Sequence, residues 1–271
     1  MQSKIITYQS SAIFYRVTGK GSPVVLLHGF GEDGSVWDNQ VSFLKEHFLL
    51  IIPDLPGSGQ SDMITDMSIE GICEVIKEIT TIELQKSTLH GAERVKMIGH
   101  SMGGYITLAF AEKYPEFLSS FGLVHSTAFA DSEEKKLARL KSIEFIKTQG
   151  ANSFLQTSIP GLFYNGADGL QPPNPNINGL IKKGKQFSSA ALASYYEAMI
   201  ARPDRTAVLK NFDRPILFII GAHDTAVPFS QSLQQCYLPK QSHIHILRNS
   251  AHMGMLEAID ETNNFLLQFL Q

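Results

Sequence analysis

Short apolar runs recur along the chain and predict the strands of one sheet. Runs at 4–8 and 11–17 predict an opening hairpin. Most of the later runs are continuously apolar rather than alternating, which is typical of strands that are buried on both faces of a parallel sheet. These later runs are Val24–Leu27, Phe48–Ile52, Arg94–Ile98, Ser120–His125, Ile216–Ile220 and His243–Leu247.

Segments between these runs carry the apolar spacing of helices. A first set of apolar residues, three and four positions apart, consists of Met102, Tyr105, Ile106, Ala109 and Phe110. A C-terminal amphipathic helix is indicated by Met255, Ile259, Leu266 and Leu270. Strands that alternate with helices predict an α/β fold with a mostly parallel, doubly wound, eight-stranded sheet.

One stretch, residues 127–205, interrupts this alternation. It holds a charged amphipathic segment at 132–149, in which we expect one side to carry Leu137, Leu140, Ile143 and Ile146. There follow an apolar segment at 159–164, a Pro/Asn/Gly-rich loop at 171–179 that could form a mobile edge, and a helix at 188–201. Both ends return to the sheet. This favours a helical insertion into a core of 1–126 and 206–271 over an independent second domain.

Composition narrows the classes of protein to which the chain can belong. With 43% hydrophobic residues among 271, the chain can bury a large core, which excludes global disorder. Lys and Arg number 23 and Asp and Glu number 26, so the net charge is 23 − 26 = −3, and no extended basic stripe is present. We therefore expect neither a nucleic-acid partner nor a membrane partner.

Cysteine usage and the N-terminal residues bear on the compartment. Cys73 and Cys236 are far apart and stand in no metal-binding spacing, so we expect two free, buried thiols. The first residues lack the apolar segment of a signal peptide, and the apolar runs are too short to cross a membrane. These observations predict a cytoplasmic protein.

The strongest local motif is Gly99-His100-Ser101-Met102-Gly103-Gly104, between a predicted strand and a predicted helix. A serine at a sharp strand-to-helix turn projects its hydroxyl outward, and the turn closes only if the residues two positions away are small. The helix N-terminus adds a backbone N–H and a positive dipole end where an oxyanion can form. Gly-x-Ser-x-Gly also arises by chance, but the flanking strand and helix favour a serine nucleophile over a merely structural turn.

Further motifs follow other predicted strands. Residues 27–31, Leu-His-Gly-Phe-Gly, form a glycine-rich turn that lets a backbone N–H approach a reacting centre, and no Gly-Lys-Ser/Thr follows to make it a phosphate loop. Asp224 follows the strand at 216–220, and His252 follows the last strand. The carboxyl ends of parallel strands meet at one edge of a sheet, so we expect Ser101, Asp224 and His252 at that edge.

With these motifs, and with the turn Asp54-Leu-Pro-Gly57-Ser-Gly59-Gln-Ser61, the sequence resembles the α/β-hydrolases over essentially its whole length. The resemblance implies that the insertion at 127–205 is the family's helical cap. The serine at the elbow disfavours the members that use an aspartate nucleophile, the haloalkane dehalogenases and epoxide hydrolases. The implied roles are nucleophile for Ser101, general base for His252, orienting acid for Asp224, and oxyanion hole for the backbone N–H groups of Phe30 and Met102.

Other residues near these motifs receive narrower predictions. We expect Phe30 and His100 to bind substrate, and His100 to pack or hydrogen-bond rather than transfer protons. His28 is interpreted as structural. Asp131 is the nearest alternative to Asp224 as the acid. No trio of His, Asp and Glu stands at metal-ligand spacing, so we predict no metal, and no cofactor is implied.

The predicted activity is hydrolysis of small, partly apolar carboxylic esters through an acyl-enzyme. Lactone hydrolysis, C–C bond hydrolysis and cofactor-free perhydrolysis use the same triad and stay open. A non-enzymatic ligand sensor and a catalytically inactive interaction protein are disfavoured by the complete set of motifs. The expected partner is a small-molecule substrate, and the sequence leaves the oligomeric state open.

Overall fold

Eight strands form one sheet in the part of the chain that the structure, a computed structural model, describes: residues 1–87, 94–166, 169 and 173–271. The strands are β1 (Gln2–Tyr8), β2 (Ser11–Thr18), β3 (Pro23–Leu27), β4 (Leu49–Pro53), β5 (Val95–His100), β6 (Leu118–Val124), β7 (Ile216–Gly221) and β8 (Ser242–Leu247). Their order across the sheet is β1-β2-β4-β3-β5-β6-β7-β8.

The pairing within the sheet confirms the predicted fold class. The β1–β2 and β2–β4 pairs are antiparallel, whereas all the other neighbouring strands are parallel. Each predicted apolar run overlaps one of these strands, and no strand end differs from its prediction by more than two residues.

The described helices connect the strands and pack against one another in pairs. Helix α2 packs against α3, α1 against α11, and α4 against α7. Their bounds are α1 (Asp38–Leu44), α2 (Ile69–Ser87), α3 (Met102–Lys113), α4 (Glu133–Gln149), α5 (Ala151–Ser158), α6 (Asn176–Gly184), α7 (Ser189–Ala201), α8 (Thr206–Asn211), α9 (Phe229–Cys236), α10 (Gly254–Glu257) and α11 (Ile259–Leu270). None of them is both long and apolar enough to span a bilayer.

Strand burial follows position in the sheet. Every residue of the central strand β3 and of β7 is buried, as a strand covered on both faces requires. The edge strand β8 instead alternates: Ile244 and Ile246 are exposed, while the rings of His243 and His245 contact those of Phe269 and Phe265 in α11. Both cysteines are buried and free, as predicted.

Helix α4 corrects one expectation about the insertion. Ile143 and Ile146 are buried, but Leu137 and Leu140 are 59% and 51% exposed. An α-helix turns about 100° per residue, so a series spaced by three residues drifts by about 60° at each step. Leu137 and Ile146 therefore lie on opposite sides of the helix, and the four residues do not share one face.

The predicted loop at 171–179 is wrong in its second half. Residues 171 and 172 lie outside the described residues, but helix α6 begins at Asn176. Pro175 precedes the first turn, where its missing N–H costs nothing, and the side-chain oxygen of Asn174 accepts a hydrogen bond from the Asn176 N–H. Ile177 is buried on the inner face of the helix. The limits of the insertion, 127 and 205, stay a prediction.

Candidate active site

Ser101 lies at the sharp turn between β5 and α3. Its backbone has φ +49° and ψ −115°, a conformation that L-residues rarely adopt and that is typical of strained functional sites. A Cβ at Gly99 would overlap the Gly103 carbonyl, and one at Gly103 would lie 2.5 Å from the Leu27 carbonyl oxygen. Only glycines therefore let the turn close against the sheet.

The three predicted catalytic side chains meet at the carboxyl edge of the sheet. His252 Nε2 is 2.9 Å from Ser101 Oγ, and His252 Nδ1 is 2.8 Å from Asp224 Oδ2. Ser101 follows β5, Asp224 follows β7 and His252 follows β8. Asp224 and His252 are buried, whereas Ser101 is partly exposed. The arrangement can draw a proton from the serine hydroxyl onto an imidazole that a carboxylate orients.

Asp224 is held as a charged acceptor. Its Oδ1 accepts hydrogen bonds from the backbone N–H groups of Ala226, at 2.9 Å, and Val227, at 2.8 Å. Burial opposes the charge, but the attraction to His252 and the contacts with His125 and His252 hold the pKa of Asp224 well below its usual range. Its remaining oxygen, Oδ2, therefore faces His252 as a fixed negative charge.

His125 is a neighbour of Asp224 that sequence reasoning missed. It follows β6 with φ +48°, and its Nδ1 faces Asp224 Oδ2 at 3.4 Å. Its Nε2 accepts a hydrogen bond from the Gly254 N–H at 3.2 Å, which places the ring proton on Nδ1. Burial lowers the pKa of His125 to about 4. The sequence signal was its position at the end of an apolar run, since Ser101, Asp224 and His252 also follow strands.

The segment 162–164 of the insertion is hydrogen-bonded to the loop that carries His252. The His252 N–H donates to the Leu162 carbonyl at 2.9 Å. Glu257 Oε1 accepts from the Tyr164 N–H at 2.6 Å, and its Oε2 accepts from the N–H groups of Ala251 and Met253. The position of His252 is thus tied to this part of the insertion.

The Phe30 side chain lies between the core and the insertion. Its ring stacks on Tyr196, with centroids 4.3 Å apart, and meets Phe154 and Tyr195 edge-on at 6.2 and 6.3 Å. The preceding Gly29 runs directly beside Ser101, since a Cβ there would lie 3.1 Å from Ser101 Cβ. Met102 is the first residue of α3, where backbone N–H groups have no helical partner. The oxyanion-hole roles of Phe30 and Met102 stay a prediction.

His100 corrects the expectation that it binds substrate. The side chain is fully buried. Its Nδ1 is 3.0 Å from Glu32 Oε2 and its Nε2 is 3.0 Å from the His252 carbonyl oxygen. Two buried acceptors thus occupy both ring nitrogens, so the side chain hydrogen-bonds within the protein. The expectation that it packs rather than transfers protons agrees with this placement.

Asp131, the alternative acid, has other partners. Its carboxylate is 2.6 Å from Arg139 Nε and 2.9 Å from an Arg202 nitrogen. Burial opposes its charge, but hydrogen bonds from both arginines lower its pKa. Over the described ranges, the carboxylate that contacts His252 is that of Asp224.

Two further observations concern histidine roles and metal ligands. His28 Nε2 accepts from the Leu55 N–H at 2.9 Å, which agrees with a structural role. In the described part of the chain, His125, Asp224 and His252 bring potential ligand atoms within 4.8 Å of one another. The Asp224–His252 hydrogen bond engages two of those side chains, so the group fits a catalytic relay better than a metal site.

A family model for the alpha/beta hydrolase fold matches residues 22–258. The chain belongs to the α/β-hydrolase fold family. Uncharacterized proteins of Mycobacterium tuberculosis and Mycobacterium bovis are 31% identical to this α/β-hydrolase over 111 residues, which make up 41% of this chain and only 30% of theirs.

Two other similar proteins align over nearly the whole of this α/β-hydrolase. The 2-hydroxy-6-oxo-6-phenylhexa-2,4-dienoate hydrolase of Comamonas testosteroni is 23% identical over 265 residues, covering 96% of this chain and 91% of its own. The structure of a thermophilic esterase from Thermogutta terrifontis, with malate bound, superposes with a TM-score of 0.87 at 25% identity. That match covers 100% of this chain and 98% of the esterase.

Proposed function

We propose that this α/β-hydrolase cleaves small, partly apolar carboxylic esters through an acyl-enzyme on Ser101. The observation that carries the proposal is the unbroken relay from Ser101 Oγ to His252 and from His252 to Asp224, at 2.9 and 2.8 Å. The relay stands at a strained turn whose glycines nothing larger can replace. The buried free thiols support a reducing compartment such as the cytoplasm.

The first half of the reaction forms the acyl-enzyme. Ser101 Oγ attacks the ester carbonyl carbon while His252 Nε2 takes its proton. Asp224, charged throughout, keeps the proton on His252 Nδ1 and stabilises the imidazolium. The oxyanion of the tetrahedral intermediate lies against the N–H groups of Phe30 and Met102. His252 then gives its proton to the alkoxide oxygen, the ester C–O bond breaks, and the alcohol leaves.

The second half regenerates the serine. Water attacks the acyl carbon and gives a proton to His252 Nε2, and a second tetrahedral intermediate occupies the same oxyanion hole. As the bond to Ser101 Oγ breaks, His252 returns a proton to that oxygen. The carboxylic acid product leaves with the hydroxyl from water. Every proton in this cycle passes through the single nitrogen that faces Ser101.

A substrate panel tests the proposed reaction class. The purified protein is assayed with p-nitrophenyl esters of rising acyl length, beside a lactone, a vinylogous diketone and a carboxylic acid with peroxide. We expect the highest kcat/KM on an ester, and only a small residual turnover by Ser101→Ala. Turnover of the diketone alone would assign the same relay to C–C bond hydrolysis instead. The name of the Comamonas relative indicates that kind of substrate.

Residues of the insertion are expected to choose the acyl group. Phe154 is buried and meets the rings of Phe30 and Tyr196 edge-on, so Phe154→Ala opens space beside the oxyanion loop. One methylene in an apolar pocket is worth about 1–3 kcal/mol, so the preference among acyl lengths should change by roughly 10–200-fold. The measurement is kcat/KM across the ester series, beside the rate at which a fluorophosphonate labels Ser101.

A matched control comes from the same insertion. Leu140 is apolar and half exposed on α4, and Leu140→Ala should leave the order of acyl preference unchanged. A Phe154→Ala protein that loses the same factor on every ester, and in labelling rate, would show that Phe154 supports the fold without selecting substrate.

A further inference from the structure

A chain of buried hydrogen bonds joins the loop of Phe30 to the loop of His252. The Gly29 N–H donates to Glu32 Oε2 at 2.7 Å, and the same oxygen is 3.0 Å from His100 Nδ1. His100 Nε2 is 3.0 Å from the His252 carbonyl oxygen. His100 is fully buried and Glu32 is 5% exposed. The chain passes through the residue that directly precedes Ser101.

The hydrogen-bond partners indicate the charge of His100. A main-chain carbonyl never donates, so His100 Nε2 donates to the His252 carbonyl. The Glu32 oxygen accepts from the Gly29 N–H, and with Glu32 ionised it also accepts from His100 Nδ1, which makes the ring an imidazolium paired with the Glu32 carboxylate. Burial opposes both charges, but the attraction between the partners raises the pKa of His100 and lowers the pKa of Glu32.

We propose, on the basis of the proposed function, that the Glu32–His100 ion pair is a positioning device that holds the oxyanion loop and the His252 main chain against Ser101. The oxyanion loop follows β3, His252 follows β8, and Ser101 follows β5. Within the described ranges, the ion pair hydrogen-bonds to the main chain of the first two, and His100 directly precedes Ser101. A buried ion pair is weak evidence for stability, because desolvation offsets its attraction. The location of the Glu32–His100 pair between the oxyanion loop and the His252 loop is therefore explained by positioning rather than by stability.

Several titratable groups face the pair, and the charge of Asp224 adds to the raised pKa of His100. The rings of His252 and His125 lie 5.0 and 6.0 Å from that of His100. His125 is neutral because burial lowers its pKa to about 4, and Asp224 stays ionised. His28, near Glu32, accepts the Leu55 N–H at Nε2. His252 must be neutral to act as the base.

The two pKa directions define the pH window of the pair. His100, whose folded pKa is raised, contributes fully below its ordinary pKa and stops contributing as pH rises through the raised value. Glu32, whose folded pKa is lowered, contributes above its ordinary pKa and stops contributing as pH falls through the lowered value. Above the raised pKa, His100 has one proton for two acceptors, so one link of the chain breaks. We therefore expect kcat/KM to decline on the basic side.

Glu32→Gln tests the positioning role because it keeps the shape and removes the charge. Misplacement by about 1 Å costs about a hundredfold in rate, so we expect kcat to fall by about ten- to a hundredfold. KM should stay within about threefold, because the lost contacts act on the transition state. Without its counter-charge His100 loses its proton more easily, so the basic decline of kcat/KM should move to lower pH by about one unit.

Glu83→Gln is the matched control. Glu83 is a buried carboxylate that binds Lys4 and Tyr15 at the β1–β2 side of the sheet. This variant should lower the thermal unfolding temperature and leave kcat and the pH profile unchanged. An unaltered kcat and an unshifted basic decline in folded Glu32→Gln protein would overturn the positioning role.

A measurement on the wild-type protein stands independently of whether the variant folds. Nitrogen-15 spectra of the histidine rings, assigned with His100→Gln, should show His100 doubly protonated at pH 7. A neutral His100 at that pH would overturn the ion pair. A wild type that captures no fluorophosphonate would instead contradict the proposed function, so the two failures are distinct.

Discussion

Ser101→Ala is expected to abolish covalent capture of a fluorophosphonate and to reduce ester turnover to a small residual rate, while the protein keeps its fold. Alanine removes the oxygen that His252 Nε2 contacts at 2.9 Å, so no acyl-enzyme can form. Removing a member of such a triad leaves a residual rate of about 10³–10⁴ over water, from the oxyanion hole and binding alone. The measurements are kcat on a p-nitrophenyl ester, the labelling rate, and the circular dichroism spectrum.

Ser126→Ala is a suitable control for the nucleophile. Ser126 is a second buried serine in the same region, and its hydroxyl donates to the Ser101 carbonyl at 2.7 Å. Its loss should lower the rate modestly and leave labelling in place. Labelling of Ser101→Ala at the wild-type rate would remove Ser101 from the mechanism.

Asp224→Asn is expected to lower kcat by about 10⁴ with little effect on the fold. The N–H groups of Ala226 and Val227 both donate to Oδ1, so the amide oxygen of asparagine must take that place. Its NH₂ group then faces His252 Nδ1, which has to accept, and the ring proton moves to Nε2. A protonated Nε2 faces Ser101 Oγ and cannot take its proton. The measurement is kcat at the pH of maximal activity.

Asp131→Asn distinguishes the acid from another buried carboxylate. Asp131 is bound by Arg139 and Arg202, so Asp131→Asn should reduce the free energy of unfolding. Breaking a buried ion pair costs about 3–5 kcal/mol. Its kcat should change far less than that of Asp224→Asn. The reverse order of effects would show that the acid is assigned to the wrong residue.

The sequence was sufficient to predict the parts of the fold that depend on local pattern. A continuously apolar run such as Ile216–Ile220 predicts a strand that is buried on both faces of a covered sheet. This prediction does not require knowing which strands lie beside it. The turn at Ser101 was likewise predictable, because the glycines that allow it lie within two residues of Ser101 in the sequence. Ser101, Asp224 and His252 could be placed together because strand ends share one edge of a parallel sheet.

Features that depend on distant partners could not be predicted in this way. His100 is 68 residues from Glu32, and its motif position gave no sign that a buried carboxylate faces it. His125 contacts Asp224 only because β6 lies beside β7 in the sheet. Leu137 follows an apolar spacing but lies on a side of α4 that no neighbouring element buries among the described residues.

The insertion also takes part in the site more closely than its sequence indicates. Its proposed role is to choose the acyl group. Yet the Leu162 carbonyl accepts from the His252 N–H, and the Tyr164 N–H donates to Glu257, which also holds the His252 loop. We expect substitutions near Phe154 to alter specificity, and changes at 162–164 to alter the rate on every substrate.

The central claim is that an acyl group passes through Ser101, and the direct test is to trap that intermediate. The wild-type protein is mixed with excess p-nitrophenyl acetate, quenched in acid within the first turnover, and analysed by intact-mass and peptide mass spectrometry. The account predicts one added acetyl group, located on the peptide that contains Ser101, which disappears as acetate is released. Steady release of p-nitrophenol with an acetyl group on another residue, or with none, would contradict it.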